Sequence, residues 1–257
     1  MKILAVIGSP RNNGNTYEAV KLIEDELNIK NPGIEFEYVQ LGSANLKPCK
    51  GCFTCIERGE EKCPLKDGRE TLEFKMQQAD GVIFASPVYT YNVSWIMKNF
   101  LDRFAYRCHR PDFHGKKAMV VVSTGAVGLG FVAALLSLSL GTMGFITCAK
   151  LGVTFPPAHE RNDTRLKKEM NKLVRKTEMF YERLLDTKPE KPSFIKLLQF
   201  VKQKRAYSKA PKDLADFKFW RDKGWLAETT DYYYEVRAGK MIKLLVYIIS
   251  KLTRCAG

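Results

Sequence analysis

The sequence predicts an α/β fold, with a doubly wound sheet of five parallel strands, helices on both faces, and a C-terminal helical or irregular extension. Short apolar and β-branched runs alternate five times with helix-like stretches, and this alternation stops near residue 187. The composition is that of a globular protein, since 45% of the 257 residues are hydrophobic and 27% are charged. We therefore predict one domain over residues 1–187 and an extension over residues 188–257.

The strands and helices are predicted from the period of their apolar residues. Five strands are expected at residues 2–8, 35–41, 81–85, 118–123 and 146–153. Five helices are expected near residues 15–29, 67–79, 92–107, 130–143 and 160–185. Because parallel neighbours need a crossover connection, which favours a helix, the alternation indicates a parallel sheet. Asp67 and Glu70 have the spacing of a capping box at the start of the second helix.

The loop after the first strand, residues 8–16, consists largely of small, hydroxyl and amide residues. Its backbone N–H groups and the N-terminus of the following helix can surround a phosphate. Ser9, Asn15 and Thr16 add side-chain donors, and Arg11 adds a charge-assisted contact. The loop lacks the GxGxxG and GK[ST] motifs, so a nucleotide monophosphate suits it better than NAD or ATP. A polar turn that ends in a helix N-cap is the alternative.

Three motifs follow one another in a specific order: Gly-Ser-Pro-Arg-x-x-Gly-Asn-Thr at residues 8–16, Ser-Pro-Val-Tyr at 86–89 and Ser-Thr-Gly at 123–125. Together they resemble the flavodoxin-like NAD(P)H-dependent FMN reductase family, over roughly residues 1–155. The resemblance implies the strand order 2-1-3-4-5, with the three loops around FMN at the carboxyl edge of the sheet. It also implies NAD(P)H as a co-substrate.

The resemblance assigns three groups of residues to FMN. The phosphate loop contributes Ser9, Arg11, Asn13, Gly14, Asn15 and Thr16. One side of the flavin ring is lined by Pro87, Val88, Tyr89 and Asn92, and the other side by Ser123, Thr124, Gly125 and Ala126. For Tyr89 and Tyr91, packing at the core edge is as plausible as ring contact. No catalytic residue is assigned, because flavin hydride transfer needs no protein acid–base pair.

Four cysteines form the most distinctive motif, Cys49-x2-Cys52-x2-Cys55-x7-Cys63, in a predicted insertion at residues 45–66. Thiolates with this spacing can ligate a 4Fe-4S cluster. Reduced or redox-active thiols and a zinc site are the alternatives. The pattern resembles the iron-sulfur flavoproteins, a branch of the same superfamily.

The remaining cysteines and histidines have no partner at a recognisable spacing. Cys108, Cys148 and Cys255 are expected to be buried or unpaired thiols. His109 and His114 are expected at a surface or interface. No secretion pattern or spanning apolar run is found, which predicts a cytoplasmic protein whose cysteines serve metal or redox chemistry.

The extension is basic and aromatic. Of the net charge of +14, residues 158–257 contribute 24 Lys and Arg against 13 Asp and Glu. Its clustered aromatic residues are Phe217, Phe219, Trp220, Trp225, Tyr232, Tyr233 and Tyr234. We expect them and the apolar run Leu244–Ile249 to cover a neighbouring subunit, in a homodimer or larger homo-oligomer. Peripheral membrane contact is the less favoured alternative, and no nucleic-acid partner is expected.

The sequence as a whole predicts an FMN-dependent NAD(P)H oxidoreductase that passes electrons to a small-molecule or protein acceptor. The first alternative is an iron-sulfur flavoprotein that carries electrons from ferredoxin. The second is a non-enzymatic flavin- or partner-binding module.

Overall fold

A computed structural model describes residues 1–155, 163–236, 245, 246 and 249. The chain forms two compact units. The first unit comprises Met1–Lys50 and Leu65–Thr187, and the second comprises Gly51–Pro64 and Lys188–Gly257. The second unit therefore combines part of the cysteine loop with the C-terminal residues.

The first unit is built on one sheet. In chain order its strands are β1 (Lys2–Ile7), β2 (Glu35–Gln40), β3 (Gly81–Tyr89), β4 (Asn92–Val93), β5 (Lys117–Thr124) and β6 (Ile146–Thr154). Five of these strands are parallel, in the order β2-β1-β3-β5-β6. This is the expected 2-1-3-4-5 order once the short β4 is left out. The sequence did not predict β4, a two-residue strand antiparallel to β3, because so short a strand has no periodic pattern.

The helices differ from the prediction mainly in the middle of the chain. In chain order they are α1 (Asn15–Lys30), α2 (Thr54–Glu57), α3 (Arg69–Gln78), α4 (Trp95–Arg103), α5 (Tyr106–His109), α6 (Leu129–Thr142), α7 (Asp163–Leu185), α8 (Phe194–Ser208) and α9 (Ala215–Asp222). The helix predicted at 92–107 begins later, since residues 92 and 93 pair with β3 and Ser94 caps α4, and it is divided into α4 and α5 after Arg103.

The core of the first unit lies on both faces of the central strands. The β1 residues Ile3–Ile7 are fully buried. One face packs against α1 and α7, whose Ile23 and Phe180 are wholly buried. On the opposite face the ring of Phe84 in β3 lies 5.8 Å from that of Phe100 in α4. Residues 83 and 84 alternate between these faces, as expected for a strand covered on both sides.

The predicted capping box at Asp67 and Glu70 is not formed. Gly68 precedes α3 without a side-chain cap, and the Glu70 carboxylate contacts the Arg69 guanidinium at 3.1 Å. The Asp67 carboxylate accepts the Arg69 N–H at 3.2 Å, but it is held mainly by Arg103 of α4. A long-range ion pair has thus replaced the local cap.

The second unit has its own aromatic core. The rings of Phe200 in α8 and Trp220 in α9 lie 5.4 Å apart, and Tyr233 contacts Phe200 edge-on at 4.8 Å. Trp220 and Trp225 are buried with them. Six of the seven aromatic residues predicted to cover a neighbouring subunit, all but Phe217, therefore pack within this core.

Two further contacts complete the second unit. Lys204 of α8 donates to the carbonyl oxygens of Ala227 and Thr230, at 2.6 and 2.8 Å, and so holds the segment after α9. The cysteine-loop helix α2 packs against α9. Of the run Leu244–Ile249, only Leu245, Val246 and Ile249 fall among the described residues, and Val246 joins the aromatic core.

Across the described part of the chain, no helix is both long enough and apolar enough to cross a membrane.

Candidate functional site

The loops that follow β1, β3 and β5 meet at the carboxyl edge of the sheet. The Gly8 N–H donates to the Ala85 carbonyl oxygen at 2.8 Å, which joins the first loop to the end of β3. The hydroxyl groups of Thr16 and Ser123 share a buried hydrogen bond of 2.7 Å, which joins the first loop to the third. Residues far apart in the chain thus form one edge, at the position where open α/β sheets bind ligands.

The first loop presents an open helix N-terminus. Gly14 is the N-cap of α1 and gives no side-chain cap, and the first helical bond runs from the Glu18 N–H to the Gly14 carbonyl at 3.0 Å. By helical geometry, the N–H groups of residues 15–17 precede this bond. Asn15 and Thr16 do not act as N-caps, and N–H donors at such a helix N-terminus can bind an anion.

Two side chains shape this loop. The Ser9 hydroxyl, almost fully buried, accepts the Arg11 N–H at 3.2 Å. The Arg11 side chain lies close to Gly14, because a Cβ added to Gly14 would be 3.2 Å from the Arg11 Cβ. The Arg11 residue is exposed, so its guanidinium is accessible to an anion at the loop.

The second loop is a strained hairpin between β3 and β4. Thr90 and Tyr91 have φ angles of 50° and 56°, both left-handed, which is the geometry of a type I′ turn. Such turns favour Asn-Gly, and a β-branched Thr at this position is strained. The hairpin rests on the start of α6, because a Cβ at Gly128 would lie 3.0 Å from Val88 Cγ1 and 3.4 Å from Tyr91 Cδ1.

Exposed apolar side chains surround these loops. We call Tyr89, Tyr91, Trp95, Val127 and Phe131 the apolar rim, since each is between 41% and 66% exposed. Trp95, Val127 and Phe131 were not predicted, because nothing in the spacing of the sequence shows that these residues face solvent. Exposed apolar groups beside a ligand-binding edge mark an interaction surface.

The third loop uses its own side chains to hold its shape. The Thr124 hydroxyl donates to the Val127 carbonyl at 3.1 Å and accepts the Ala126 N–H at 3.2 Å. Gly125 and Ala126 are exposed, so their backbone is open to a ligand. The Thr124 side chain therefore orders the turn, and the backbone groups are the ones offered to a flavin.

The four-cysteine motif is divided between the two units. Cys49 belongs to the first unit, and Cys52, Cys55 and Cys63 belong to the second. Cys49 and Cys52 are exposed, and Cys55 and Cys63 are half-buried thiols. Among the described residues no three Cys, His, Asp or Glu side chains are grouped as metal ligands. The described side chains thus do not form a metal site, and ligation by these four cysteines stays a prediction.

The other candidate residues take structural positions. Burial raises the pKa of the Cys108 and Cys148 thiols, and a raised pKa makes a thiol less reactive. Cys255 lies outside the described residues. His109 ends α5, and the His114 ring nitrogen Nδ1 lies 3.2 Å from the Pro111 carbonyl oxygen.

Comparison with known proteins gives consistent matches. The family model of NADPH-dependent FMN reductases matches residues 1–160. An iron-sulfur flavoprotein of Archaeoglobus fulgidus is 32% identical over 228 residues, which are 88% of this chain and 100% of that protein. Another from Methanocaldococcus jannaschii is 43% identical over 104 residues, 40% of this chain and 51% of that protein.

A solved structure shares the fold. A crystal structure of RosB superposes with a TM-score of 0.54 at 15% identity, over 93% of this chain and 92% of that chain. The residues matched by the family model include all three loops at the carboxyl edge of the sheet. The chain therefore belongs to the NADPH-dependent FMN reductase family and is an FMN-dependent oxidoreductase.

Proposed function

We propose that the protein oxidises NAD(P)H with FMN held at the carboxyl edge of the sheet and passes the electrons to a small-molecule or protein acceptor. The observation that supports this most is the buried hydrogen bond between Thr16 and Ser123, which brings the phosphate loop against the third loop. Bound FMN would supply the hydride and electron chemistry. The chain's own residues bind and orient it and exclude water.

The proposed contacts come from groups that meet at this edge, among which Arg11 is exposed and Ser9 and Thr16 are buried. The N–H groups of residues 15–17, the hydroxyls of Ser9 and Thr16, and the Arg11 guanidinium hold the phosphate. Pro87, Val88, Tyr89 and Asn92 border one side of the flavin ring. The backbone of residues 123–126 borders the other side.

Steady-state oxidation of NADH and NADPH by the FMN-loaded protein tests this function. Turnover with either nucleotide supports the proposal. Reduction by ferredoxin without nucleotide turnover would favour the electron-carrier alternative, and failure of both would leave a binding module.

We further propose a 4Fe-4S cluster at Cys49, Cys52, Cys55 and Cys63. The spacing of the motif supports this proposal. Since the four thiols as placed do not form a metal-binding group, no electron-transfer step is assigned to them. Zinc and redox-active thiols remain the competing proposals.

The cluster proposal predicts that the four cysteines act together. In anaerobically purified protein, replacing Cys52 by Ala should remove the iron-sulfur absorption and leave the flavin bands, because each iron needs one protein ligand. Cys108→Ala is the matched control and should keep both spectra. Metal analysis that finds zinc, or no iron above background, would contradict the cluster.

We propose a homo-oligomer that covers the outer face of α6. This helix carries no charged residue, and Phe131 and Leu138, which lie on one face, are 64% and 69% exposed. A helix that is apolar all round is normally buried. Sedimentation equilibrium that shows only monomers at micromolar concentration would refute this. We also propose a cytoplasmic location, because the crowded cysteines at residues 49–63 fit metal or redox chemistry, which needs reduced thiols.

The strained hairpin gives a prediction about stability and function together. Replacing Thr90-Tyr91 by Asn-Gly should raise the unfolding free energy by about 1 kcal/mol, because both residues then tolerate the left-handed backbone. FMN affinity should fall several-fold, since the exposed Tyr91 ring is lost from the rim. Urea denaturation of the apoprotein and FMN titration measure the two effects.

The single variant Tyr91→Ala separates these effects. It removes the ring and keeps a side chain at the left-handed position, so affinity should fall without a gain in stability. A double variant that is less stable than the wild type would show that the hairpin is not strained.

A further inference from the structure

The chain just before the cysteine motif is held by one side chain of α4. The Cys49 N–H donates to Asn99 Oδ1 at 3.0 Å. The other end of the same amide, Asn99 Nδ2, donates to the carbonyl oxygens of Leu46 and Lys47 at 3.2 and 3.4 Å. One asparagine thus binds three backbone groups of residues 46–49.

A buried ion pair one turn further along α4 closes the base of the insertion. Arg103 donates to both oxygens of Asp67, at 2.6 and 2.9 Å, and to the Lys47 carbonyl at 2.9 Å. The Asp67 carboxylate in turn accepts the Lys47 N–H at 2.9 Å. The two ends of the insertion are also joined directly, because Gly68 donates its N–H to the Asn45 carbonyl at 3.1 Å.

The base of the insertion tolerates little change in shape. A Cβ at Gly68 would lie 2.1 Å from the Ala44 carbonyl oxygen. The two backbone segments at the base of the insertion therefore approach each other so closely that only glycine fits at position 68. The side chains of Asp67 and Arg103 are 0% and 2% exposed. The segment that ends at Cys49 is therefore fixed to α4 by the buried pair of Arg103 and Asp67 and by the half-buried Asn99.

The first turn of the same helix is tied to the proposed FMN loops. Ser94 is fully buried, and its hydroxyl accepts the Met97 N–H at 3.1 Å and donates to the Gly8 carbonyl. The Ser94 N–H donates to the Ser86 hydroxyl at 3.1 Å. A Cβ at Gly8 would lie 2.7 Å from Met97 Cβ, so helix and phosphate loop are in direct contact.

We propose that α4 is a rigid connector between the FMN loops and Cys49, and that Asn99, in the middle of the helix, is the positioning residue for Cys49. The helix has nine residues, which span roughly 13 Å. Groups at its first turn respond to a ligand at the loops that follow Gly8 and Ser86, and Asn99 passes that ordering to residues 46–49. The coupling to FMN rests on the proposed function, whereas the mechanical connection does not.

Amide hydrogen exchange of the full-length protein, resolved by residue, tests the connection directly. Asn99→Ala should speed exchange of the Cys49 N–H roughly five- to tenfold, the effect of losing one hydrogen bond. Asn99→Asp keeps the acceptor and should restore much of the protection. Lys98→Ala, on the exposed side of the same helix, is the matched control and should change nothing at Cys49.

A second measurement distinguishes failure of the connector from failure of the FMN assignment. Saturation with FMN should slow exchange at Gly8, Ser94 and Cys49 in the wild type, and at Gly8 and Ser94 alone in Asn99→Ala. Slowing at Gly8 and Ser94 without slowing at wild-type Cys49 overturns the connector. If FMN slows amide exchange at none of Gly8, Ser94 and Cys49, the proposed FMN site is overturned.

The connector is then judged without FMN, by a variant at its near end. Ser94→Ala removes the hydrogen bond to the Gly8 carbonyl. The Val120 amide lies in the core and reports global unfolding. Amide exchange at Cys49 should speed up several-fold more than exchange at Val120. Equal changes at Cys49 and Val120 in this variant, or an unchanged Cys49 rate in Asn99→Ala, overturn the proposal.

Discussion

Replacing Arg11 and Thr16 together by alanine should weaken FMN binding by on the order of 100-fold. A hydrogen bond to a charged phosphate contributes about 1.5–3 kcal/mol, and the double variant loses two such donors, one of them charged. Titration of the apoprotein with FMN, followed by flavin fluorescence, gives the dissociation constants.

Controls for this prediction separate phosphate binding from folding. Thr16→Ser keeps the hydroxyl that bonds to Ser123, and Lys21→Ala removes an exposed charge from the same helix. Both should bind FMN nearly as the wild type does. A double variant with unchanged affinity and a normal unfolding curve would show that the phosphate lies elsewhere.

Arg103→Ala should lower the unfolding free energy by about 3 kcal/mol. Removing one partner of a buried ion pair leaves the other charge without compensation, and the Asp67 carboxylate is fully buried. The neighbouring variant Asp102→Ala breaks only the exposed pair with Lys98 and should cost less than about 1 kcal/mol. Equal losses in the two variants, measured by urea denaturation, would contradict the buried-pair interpretation.

The same ion pair predicts how stability depends on pH. Burial by itself would raise the pKa of Asp67, but the hydrogen bonds from Arg103 and from the Lys47 and Arg69 N–H groups outweigh it and hold the pKa below its ordinary 3.8. The unfolded chain then takes up the proton first as the pH falls, so this stabilisation is complete above about pH 4 and is lost in more acid solution.

Asp67→Asn tests this sign. The variant should be less stable than the wild type at pH 7, and the difference should shrink as the pH falls below about 4. A difference that grows in acid would mean that the pKa of Asp67 is raised in the folded protein.

Much of the first unit could be predicted from the sequence, because its central strands are buried on both faces. Such strands must be continuous apolar runs, which stand out between amphipathic helices. The strand order came from the resemblance of the three motifs. The two-residue β4 could not be predicted, because pairing with β3 decides it and not the local pattern.

The candidate site could likewise be predicted from the sequence only in part. The phosphate loop is recognisable because small and hydroxyl residues lie between a strand and a helix. The roles of Asn99 and Arg103 are invisible in the sequence, since their partners Cys49 and Asp67 are about 50 and 36 residues away along the chain. The strain at Thr90 likewise appears only as a φ angle.

The sequence by itself determined the α/β class, the three loop motifs and the cysteine spacing, because each depends on residues close together in the chain. The tertiary structure decided which partners those residues have. It gave Asp67 to Arg103 instead of a helix cap, and it packed Trp220 and Phe200 into a core of their own unit. The physical reason is that buried charges and rings are stabilised by whichever groups folding brings beside them, and sequence separation places no limit on that choice.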